Sequence, residues 1–351
     1  MRKLTYAQAI LEATDQCLGS DRSVYLMGLG ATDPKGIFGT TLGLKDKYKG
    51  RILDMPVSEN GMTGVAIGSS LVGMRPILTH QRVDFIILSL DQIINNAAKW
   101  HYMFGGKMKV PVVIRMIIGR GWGQGPQHSQ NLNSVLAFIP GLKVVMPATP
   151  HDAKGLLISA VRDNNPVLFI EHRWLYGIKD FVARKIYSEP LSKARVVRIG
   201  KDITIVASSY MVFEAVRAAD ILKKYGITAE VVDLRTIRPL DEKTIINSVA
   251  KTKRLIVVDG AWRSFSVSAE VIALVAESEK VTLKAKPQRI TFPDIPVPTS
   301  PELAKHYYPK AVDIVNSTRS LFKLKKISVQ QAGLDSDIPH DVPDETFTGP
   351  F

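Results

Sequence analysis

The chain has 351 residues, of which 45% are hydrophobic and 23% are charged, as is typical of a soluble globular protein long enough for two domains. Its 46 Lys and Arg outnumber 33 Asp and Glu and give a formal net charge of +13, but these basic residues are scattered, which argues against nucleic-acid binding and is compatible with an acidic protein partner. No stretch approaches the roughly 18 uninterrupted apolar residues of a membrane span, and acids interrupt the amino-terminal segment, so we expect no membrane insertion, no signal peptide and a cytoplasmic location.

The first half of the sequence alternates predicted strands with predicted helices. An opening helix carries an apolar stripe that includes Cys17, the single cysteine, for which a buried core thiol is favoured over a nucleophile. Strands are predicted in SVYLMGL, RILDM, RPILT and VPVVIRMI, and at residues 143–146 and 167–170. Helices are predicted in GMTGVAIGSSLVG, in SLDQIINNAAKW, and in a segment capped by Thr149 with Pro150 in its first turn. This alternation predicts a parallel sheet with crossover helices.

The second half repeats the pattern after an irregular segment. KDFVARKIYSEPLSKARVVRIG has mixed charges and no sustained period, and is predicted to be a linker. Beyond it, strands in DITIVASS, TAEVVDL and RLIVVDG alternate with helices in MVFEAVRAADILKKYG and PLDEKTIINSVAKT. We therefore predict an α/β protein of two domains, residues 1–190 and 191–327, each a mostly parallel sheet with flanking helices. Residues 328–351 hold five acids and no Lys or Arg, and are predicted to form an extended acidic tail.

One carboxylate, Glu59, stands at the start of a run of small and apolar residues, ENGMTGVAIGSS. Judged by itself, it is interpreted as a residue of the first turn of a helix, where a negative charge suits the positive end of the macrodipole.

A glycine cluster, GRGWGQGPQHSQ, follows the predicted strand VPVVIRMI. Its spacing is too irregular for a dinucleotide-binding fingerprint. It nevertheless provides a loop after the carboxyl end of a strand, where open α/β sheets bind ligands. His128, at the far end of the loop, is either a ligand-facing residue or the cap of a helix beginning near Ser129.

Five segments carry a joint signature: SENGMTGVAIGSSLVGMRPI, DFIILSLDQIINNAAKWHYMFGG, PQHSQ, PGLKVVMPATPHDAKGLLISAVRDNNPV and VVDLRTIRPLD. Together they resemble the beta subunit of the decarboxylating component of 2-oxoacid dehydrogenase complexes, within the thiamine-diphosphate transketolase-like superfamily. The resemblance covers about residues 1–325 of this chain. It implies a pyrimidine-binding domain followed by a transketolase C-terminal-like domain.

The resemblance implies roles for three side chains. The glutamate that matches Glu59 hydrogen-bonds a ring nitrogen of the cofactor's aminopyrimidine, which promotes the tautomer that takes the thiazolium proton. Small residues such as Gly61 and Gly64 would let the backbone approach this ring closely. Phe85 matches a residue that packs on the aminopyrimidine, with a core aromatic as the alternative. His128 matches a histidine that faces the reacting carbon and handles protons or the incoming acceptor.

A second matching set implies a structural monovalent cation such as K⁺, with a hydrated loop as the alternative. The matching positions lie around one helix and the loop after it: Val112, Ala160, Val161, Asp163 and Asn165.

Two departures from the family pattern shape the expected function. The diphosphate- and Mg²⁺-binding motif of such enzymes is missing from this sequence, so a partner alpha subunit is expected to supply it in an α2β2 assembly. In THQRVDF, residues 79–85, relatives that act on simple acyl substrates tend to carry a glutamate where Thr79 stands and apolar or aromatic residues where His80 and Arg82 stand. His80, Arg82 and Asp84 are therefore candidate substrate residues, with a subunit contact as the alternative.

The leading hypothesis is a beta subunit that acts with thiamine diphosphate to decarboxylate a 2-oxoacid and pass the acyl or aldehyde unit to an acceptor. A lipoyl-bearing acyltransferase is a candidate partner for this transfer. One alternative is a carboligase or a split transketolase-like enzyme that uses a sugar-like acceptor. Another is a non-catalytic subunit that only stabilises an assembly.

Overall fold

A computed structural model of the chain describes residues 2–121 and 123–334. Within these residues the chain forms two compact units: the first contains residues 2–119 and 135–191, and the second contains residues 120–134 and 192–334. The two-domain α/β fold with mostly parallel sheets is confirmed. Most of the predicted acidic tail, residues 335–351, lies outside the described residues.

The sheet of the first unit is parallel and buried. Its strands are β2 (Val24–Gly28), β3 (Ile52–Asp54), β4 (Arg75–His80), β5 (Val113–Ile118), β6 (Lys143–Val145) and β7 (Val167–His172). They lie in the order β6-β7-β5-β4-β2-β3, and every neighbouring pair is parallel. Strands β2 and β5 are buried along their whole length, as expected when helices cover both faces. A separate antiparallel pair joins β1 (Arg2–Thr5) to β8 (Lys179–Val182).

Helices connect these strands. They are α1 (Tyr6–Ser20), α2 (Leu44–Lys47), α3 (Glu59–Leu71), α4 (Ala98–Met103) and α6 (Pro150–Arg162), while α5 (Asn133–Phe138) follows the glycine-rich loop. The predicted cap of α6 is present, since the Thr149 side chain accepts a hydrogen bond from the Asp152 amide at 3.1 Å and Pro150 occupies the first turn. Cys17 is buried in α1, and burial raises the pKa of its thiol to about 12, so the core interpretation is confirmed.

The second unit contains one sheet in the order β14-β13-β10-β11-β9. Its strands are β9 (Arg195–Arg198), β10 (Ile203–Ala207), β11 (Ala229–Asp233), β13 (Leu255–Trp262) and β14 (Gln288–Phe292), and β12 (Thr236–Arg238) is a further short strand. Only the edge strand β9 runs antiparallel to its neighbour. The helices of this unit are α7 (Met211–Lys224), α8 (Glu242–Thr252), α9 (Val267–Glu277), α10 (Pro301–Ala304) and α11 (Ala311–Leu321).

Two sequence predictions need correction. The predicted linker contains strands β8 and β9. The predicted helix in SLDQIINNAAKW is present, with a π-helical stretch (Gln92–Ala97) before α4, and a 3₁₀ helix (Val83–Ser89) precedes it. The start of the predicted tail, residues 328–334, is folded onto the second unit: Ala332 is buried, and the Tyr225 hydroxyl donates to the carbonyl of Gln331 at 3.1 Å. Within residues 2–121 and 123–334, no helix is both long and apolar enough to cross a membrane.

Candidate active site

The candidate site lies at the carboxyl edge of the parallel sheet in the first unit. Glu59 follows β3, His80 ends β4 and Gly119 follows β5, so all three stand where parallel strands end. The carboxyl ends of parallel strands meet at one edge, and open α/β sheets bind ligands there. The predicted residues Arg82, Asp84 and Phe85 belong to the segment that leaves the same edge after β4.

Glu59 is the first residue of α3, as its first-turn interpretation predicts. Its side chain is nevertheless buried, with 6% of the residue exposed. Within the described chain its carboxylate has no hydrogen-bond or ion-pair partner. A carboxylate that lies in a largely buried residue and has no partner in the described chain is available to a hydrogen-bond partner from outside it.

The 3₁₀ helix that carries Phe85 packs beside α3. The Thr63 hydroxyl of α3 and the Ser89 hydroxyl of the 3₁₀ helix are joined by a 3.0 Å hydrogen bond, and both residues are buried. The amide of Phe85 donates to the Arg82 carbonyl at 3.3 Å, so the segment is already helical here. Arg82 itself is still extended, with φ −143° and ψ 146°, and the 3₁₀ helix begins at the next residue.

The candidate substrate residues are all buried in the described chain. The Nε2 atom of His80 has no hydrogen-bond partner among residues 2–121 and 123–334, and burial lowers the pKa of this imidazole to about 4. Arg82 donates from Nη1 to the carbonyl of Gly119, which ties the segment after β4 to the end of β5. Asp84 lies in the first turn of the 3₁₀ helix.

Two further residues at this edge, His172 and Arg173, were not predicted from the sequence, whereas Gly119 opens the predicted glycine-rich loop. Gly119 has a φ of 95°, and a Cβ there would lie 2.7 Å from the His172 ring, so the close contact requires glycine. Burial, together with the nearby Arg82 charge, lowers the pKa of His172 to about 3. Burial also lowers the pKa of Arg173 to about 10. His172 is the last residue of the strand VLFIEH and Arg173 follows it, so this edge carries one cation, Arg173, and one neutral imidazole that were not predicted.

His128 lies in the loop of residues 120–134, which forms part of the second unit. Its side chain is exposed, and its amide donates to the Gly125 carbonyl at 3.2 Å. The helix after the loop begins at Asn133, five residues beyond His128. His128 therefore does not cap that helix, and the alternative of a helix cap near Ser129 is wrong.

The residues predicted to hold a monovalent cation come from the last turn of α6, the loop after it and the residue before β5: Ala160, Val161, Asp163, Asn165 and Val112. The Arg75 guanidinium donates to the carbonyls of Val161 and Asp163, both at 2.9 Å. The Asp163 carboxylate accepts the amide of Asn165 at 2.9 Å and forms an ion pair with Lys143. The carbonyl of Ala160 accepts the Asp163 amide at 3.2 Å, and that of Val112 accepts the Val167 amide at 3.0 Å. Each carbonyl oxygen keeps a second lone pair for a ligand.

Comparisons with known proteins match both units. Residues 2–179 match the transketolase pyrimidine-binding domain, and residues 192–314 match the transketolase C-terminal domain. The acetoin:2,6-dichlorophenolindophenol oxidoreductase subunit beta of Cupriavidus necator is 46% identical over 332 residues, covering 92% of this chain and 98% of the relative. The pyruvate dehydrogenase E1 component subunit beta of Rickettsia bellii is 37% identical over 324 residues, covering 92% of this chain and 100% of the relative.

A solved structure described as a split-gene transketolase, an inactive beta4 tetramer, shares the fold with a TM-score of 0.77 and 21% sequence identity, covering 92% of this chain and 99% of that chain. Fold and domain content thus define a transketolase-like protein. More narrowly, the chain belongs to the family of thiamine-diphosphate-dependent E1 beta subunits, which confirms the resemblance noted in the sequence.

Proposed function

We propose that this chain is the beta subunit of a thiamine-diphosphate enzyme that decarboxylates a 2-oxoacid and transfers the acyl or aldehyde unit to an acceptor. The observation that carries the proposal is the buried, partnerless carboxylate of Glu59 at the carboxyl edge of a pyrimidine-binding domain. A ring nitrogen of the cofactor would provide the hydrogen-bond partner that this carboxylate lacks in the described chain. Of the relatives named above, the Rickettsia bellii protein is named for pyruvate, a 2-oxoacid, whereas the Cupriavidus necator protein is named for acetoin, a hydroxyketone.

The residues of this chain would act by positioning and proton transfer. Bound thiamine diphosphate supplies a thiazolium carbon that accepts the electron pair released in decarboxylation. Glu59 would hold a ring nitrogen and share its proton, while Phe85 would pack against the ring and fix its plane. His128 would hold or move a proton at the substrate or at the incoming acceptor. The exposed imidazole of His128 leaves it accessible to such a ligand.

An alpha subunit completes the site in this proposal. The sequence lacks the motif that binds the diphosphate and Mg²⁺, so the partner would supply these ligands in an α2β2 assembly. A lipoyl-bearing acyltransferase is proposed as the next partner if the acceptor is a lipoyl group.

A monovalent cation such as K⁺ is proposed for the loop after α6. Carbonyl oxygens and one carboxylate form a donor set that suits a hard cation. The cation would compete with two positive side chains, because Arg75 donates to the carbonyls of Val161 and Asp163 and Lys143 forms an ion pair with the Asp163 carboxylate. Thermal unfolding of the full chain in potassium and in choline chloride at equal ionic strength tests this site. Equal melting temperatures in the two salts would contradict it.

Calorimetric titration with thiamine diphosphate and Mg²⁺ tests the main proposal. We expect no tight binding by the full chain alone and tight binding after the alpha partner is added. In the assembled enzyme, Glu59→Gln should lower the decarboxylation rate by about 100-fold or more, since it keeps the volume and removes the shared proton. Tight Mg²⁺-dependent binding by the isolated chain would contradict the need for a partner.

Glu242→Gln is the matched control, because Glu242 is also the first residue of a helix but is exposed. If Glu59 only complements a helix dipole, both variants should show small effects on stability and normal exchange of the thiazolium proton. That outcome would favour the non-catalytic assembly subunit.

The acceptor class depends on His80, Arg82 and Asp84. Buried polar groups at a site favour a polar or hydroxylated ligand, because an apolar one leaves them unpaired. The measurement is a panel of hydroxylated aldehydes, sugars and lipoyl-domain acceptors for wild type and Arg82→Ala. If Arg82 acts only through its bond to Gly119, Arg82→Ala should lower the rates with all acceptors by a similar factor. If Arg82 contacts the acceptor, the substitution should change the relative kcat/KM for hydroxylated acceptors by about 10-fold or more. Unchanged relative values would favour an ordinary acyl-transferring dehydrogenase over the carboligase or split transketolase-like alternative.

A further inference from the structure

The loop that carries His128 is attached to the second unit near both of its ends. At its beginning, Arg120 is fully buried; its Nε donates to the Gln124 carbonyl at 2.9 Å, and its Nη2 donates to the carbonyl of Thr299. Gly125 lies so close to Thr299 that a Cβ at this position would overlap the threonine hydroxyl. The beginning of the loop therefore packs directly on the segment that contains Thr299.

The other end of the loop is held by the carboxyl end of β13. The Asn131 side chain donates to the carbonyl of Gly260 at 2.7 Å. The Asn133 side chain lies 3.4 Å from Oδ1 of Asp259, to which it donates. The side-chain oxygen of Asn131 also accepts the Asn133 amide at 3.1 Å, so the two asparagines form one linked pair. Asp259 and Gly260 thus fix three consecutive residues of the loop, 131 to 133.

Asp259 connects this pair to the rest of the second unit. Its Oδ2 accepts the Ser268 amide in the first turn of α9 at 3.1 Å, and the residue is 3% exposed. Burial raises the pKa of its carboxyl to about 6, while the hydrogen bonds from Ser268 and Asn133 oppose that rise. Above that pH the carboxylate is charged, and its bonds to the loop and to α9 are stronger than those of a neutral acceptor.

We propose that Asp259 is a positioning residue for His128. His128 lies three residues before Asn131, between the two attached ends of the loop, so the bond from Asn133 to Asp259 limits where its imidazole can stand. This inference rests on the proposed role of His128 in proton transfer. A displacement of a catalytic group by about 1 Å can cost on the order of 100-fold in rate, which makes the fixing of this loop a kinetic requirement.

A double-mutant cycle in the assembled enzyme tests the proposal. Asp259→Asn should lower kcat by about 10- to 100-fold in the background that contains His128, with little change in the affinity for thiamine diphosphate. In a His128→Ala background the same substitution should cause no further loss, because the group that it positions is gone. An equal loss in both backgrounds, or no loss in either, would overturn the proposal.

Asn133→Ala removes the same bond from the side of the loop and provides a second variant if Asp259→Asn folds poorly. It should reproduce the loss of kcat, and hydrogen exchange should show faster exchange in residues 120–134 but unchanged protection of β10. Asp241→Asn is the control: Asp241 is an equally buried acid of the second unit that caps α8 through Thr244, and kcat should be unchanged.

The single variant His128→Ala separates a failure of the proposed role of His128 from a failure of the proposed role of Asp259. If it leaves kcat unchanged, the proposed role of His128 is wrong and Asp259 has nothing to position. If it lowers kcat while Asp259→Asn does not, the role of His128 stands and the positioning by Asp259 is wrong.

Discussion

The imidazole of His80 is buried at the end of β4, and its Nε2 has no hydrogen-bond partner in the part of the chain that the structure describes. Burial lowers its pKa from 6.5 to about 4, so between these pH values the unfolded chain binds a proton that the folded chain does not. Stability is therefore expected to fall as the pH drops from about 6.5 to 4. His80→Gln should reduce the slope by up to ~1.4 kcal/mol per pH unit, the effect of one proton.

Urea unfolding of the full chain at several pH values between 7.5 and 4.5 measures this slope. His172 contributes in the same direction, because burial lowers its pKa to about 3, so His80→Gln should remove only part of the dependence. His306→Gln is the control, since His306 is exposed. Identical slopes for the two variants would show that His80 is not buried as a neutral imidazole.

Individual site residues differ in how far the sequence could predict them. Glu59 could be found because a lone carboxylate begins an otherwise small and apolar run, and the family resemblance gave it a role. His172 and Arg173 could not, because their proximity to Arg82 depends on the order in which β4, β5 and β7 pair. A sequence read in chain order does not show which strand ends are neighbours in space.

An ion pair joins the two central strands β5 and β7. Arg115 and Glu171 are both fully buried, with Nε to Oε1 at 2.6 Å and Nη2 to Oε2 at 3.1 Å, and Tyr176 donates to Oε2 at 2.7 Å. Breaking such a pair leaves a buried charge uncompensated, so Arg115→Met should lower the free energy of unfolding by about 3–5 kcal/mol. The double variant Arg115→Met/Glu171→Leu should recover much of this loss in denaturant unfolding. A double variant less stable than Arg115→Met would contradict this expectation.

The predicted boundaries of helices and strands differ from the observed ones where tertiary contacts override the local sequence pattern. Residues 83–103 have apolar spacing that suits any helix type, and a contact such as that between Thr63 and Ser89 is non-local. Strand β8 was predicted to be linker because it lacks alternation, yet its backbone pairs with β1, as in the register of Val182 with Arg2. A strand with few buried side chains gives little signal in composition.

At the scale of the molecule, the alternation of strands and helices was enough to predict two parallel α/β units. It could not predict that residues 120–134 join the second unit, because that assignment rests on contacts such as Asn131 with Gly260. These residues lie far apart in sequence, and both asparagines of the loop look like ordinary turn residues. The position of the loop of residues 120–134 is therefore the part of this fold that local sequence specifies least.

The first unit exposes apolar side chains that a monomer would be expected to bury. They occur within residues 57–104: Val57, Val65, Val72, Ile87, Leu88, Tyr102, Met103 and Phe104. Most belong to α3, the adjoining 3₁₀ helix and α4, and exposed apolar surface of this kind is typical of subunit interfaces. We therefore expect Tyr102→Glu to weaken assembly with the alpha partner by about 10-fold or more. Unfolding of the chain alone should be unaffected, because Tyr102 is 88% exposed.

Sedimentation velocity of the mixed subunits measures this assembly. Ile199→Glu is the matched control, an apolar residue that is 87% exposed on the second unit. An equal effect of the two substitutions would show that charge alone disturbs assembly, and no effect of Tyr102→Glu would place the interface elsewhere. Selective loss of assembly with Tyr102→Glu would also lower cofactor binding, because the diphosphate and Mg²⁺ ligands come from the partner in the proposed enzyme. Assembly and cofactor affinity should then fall together as the subunit concentration is reduced.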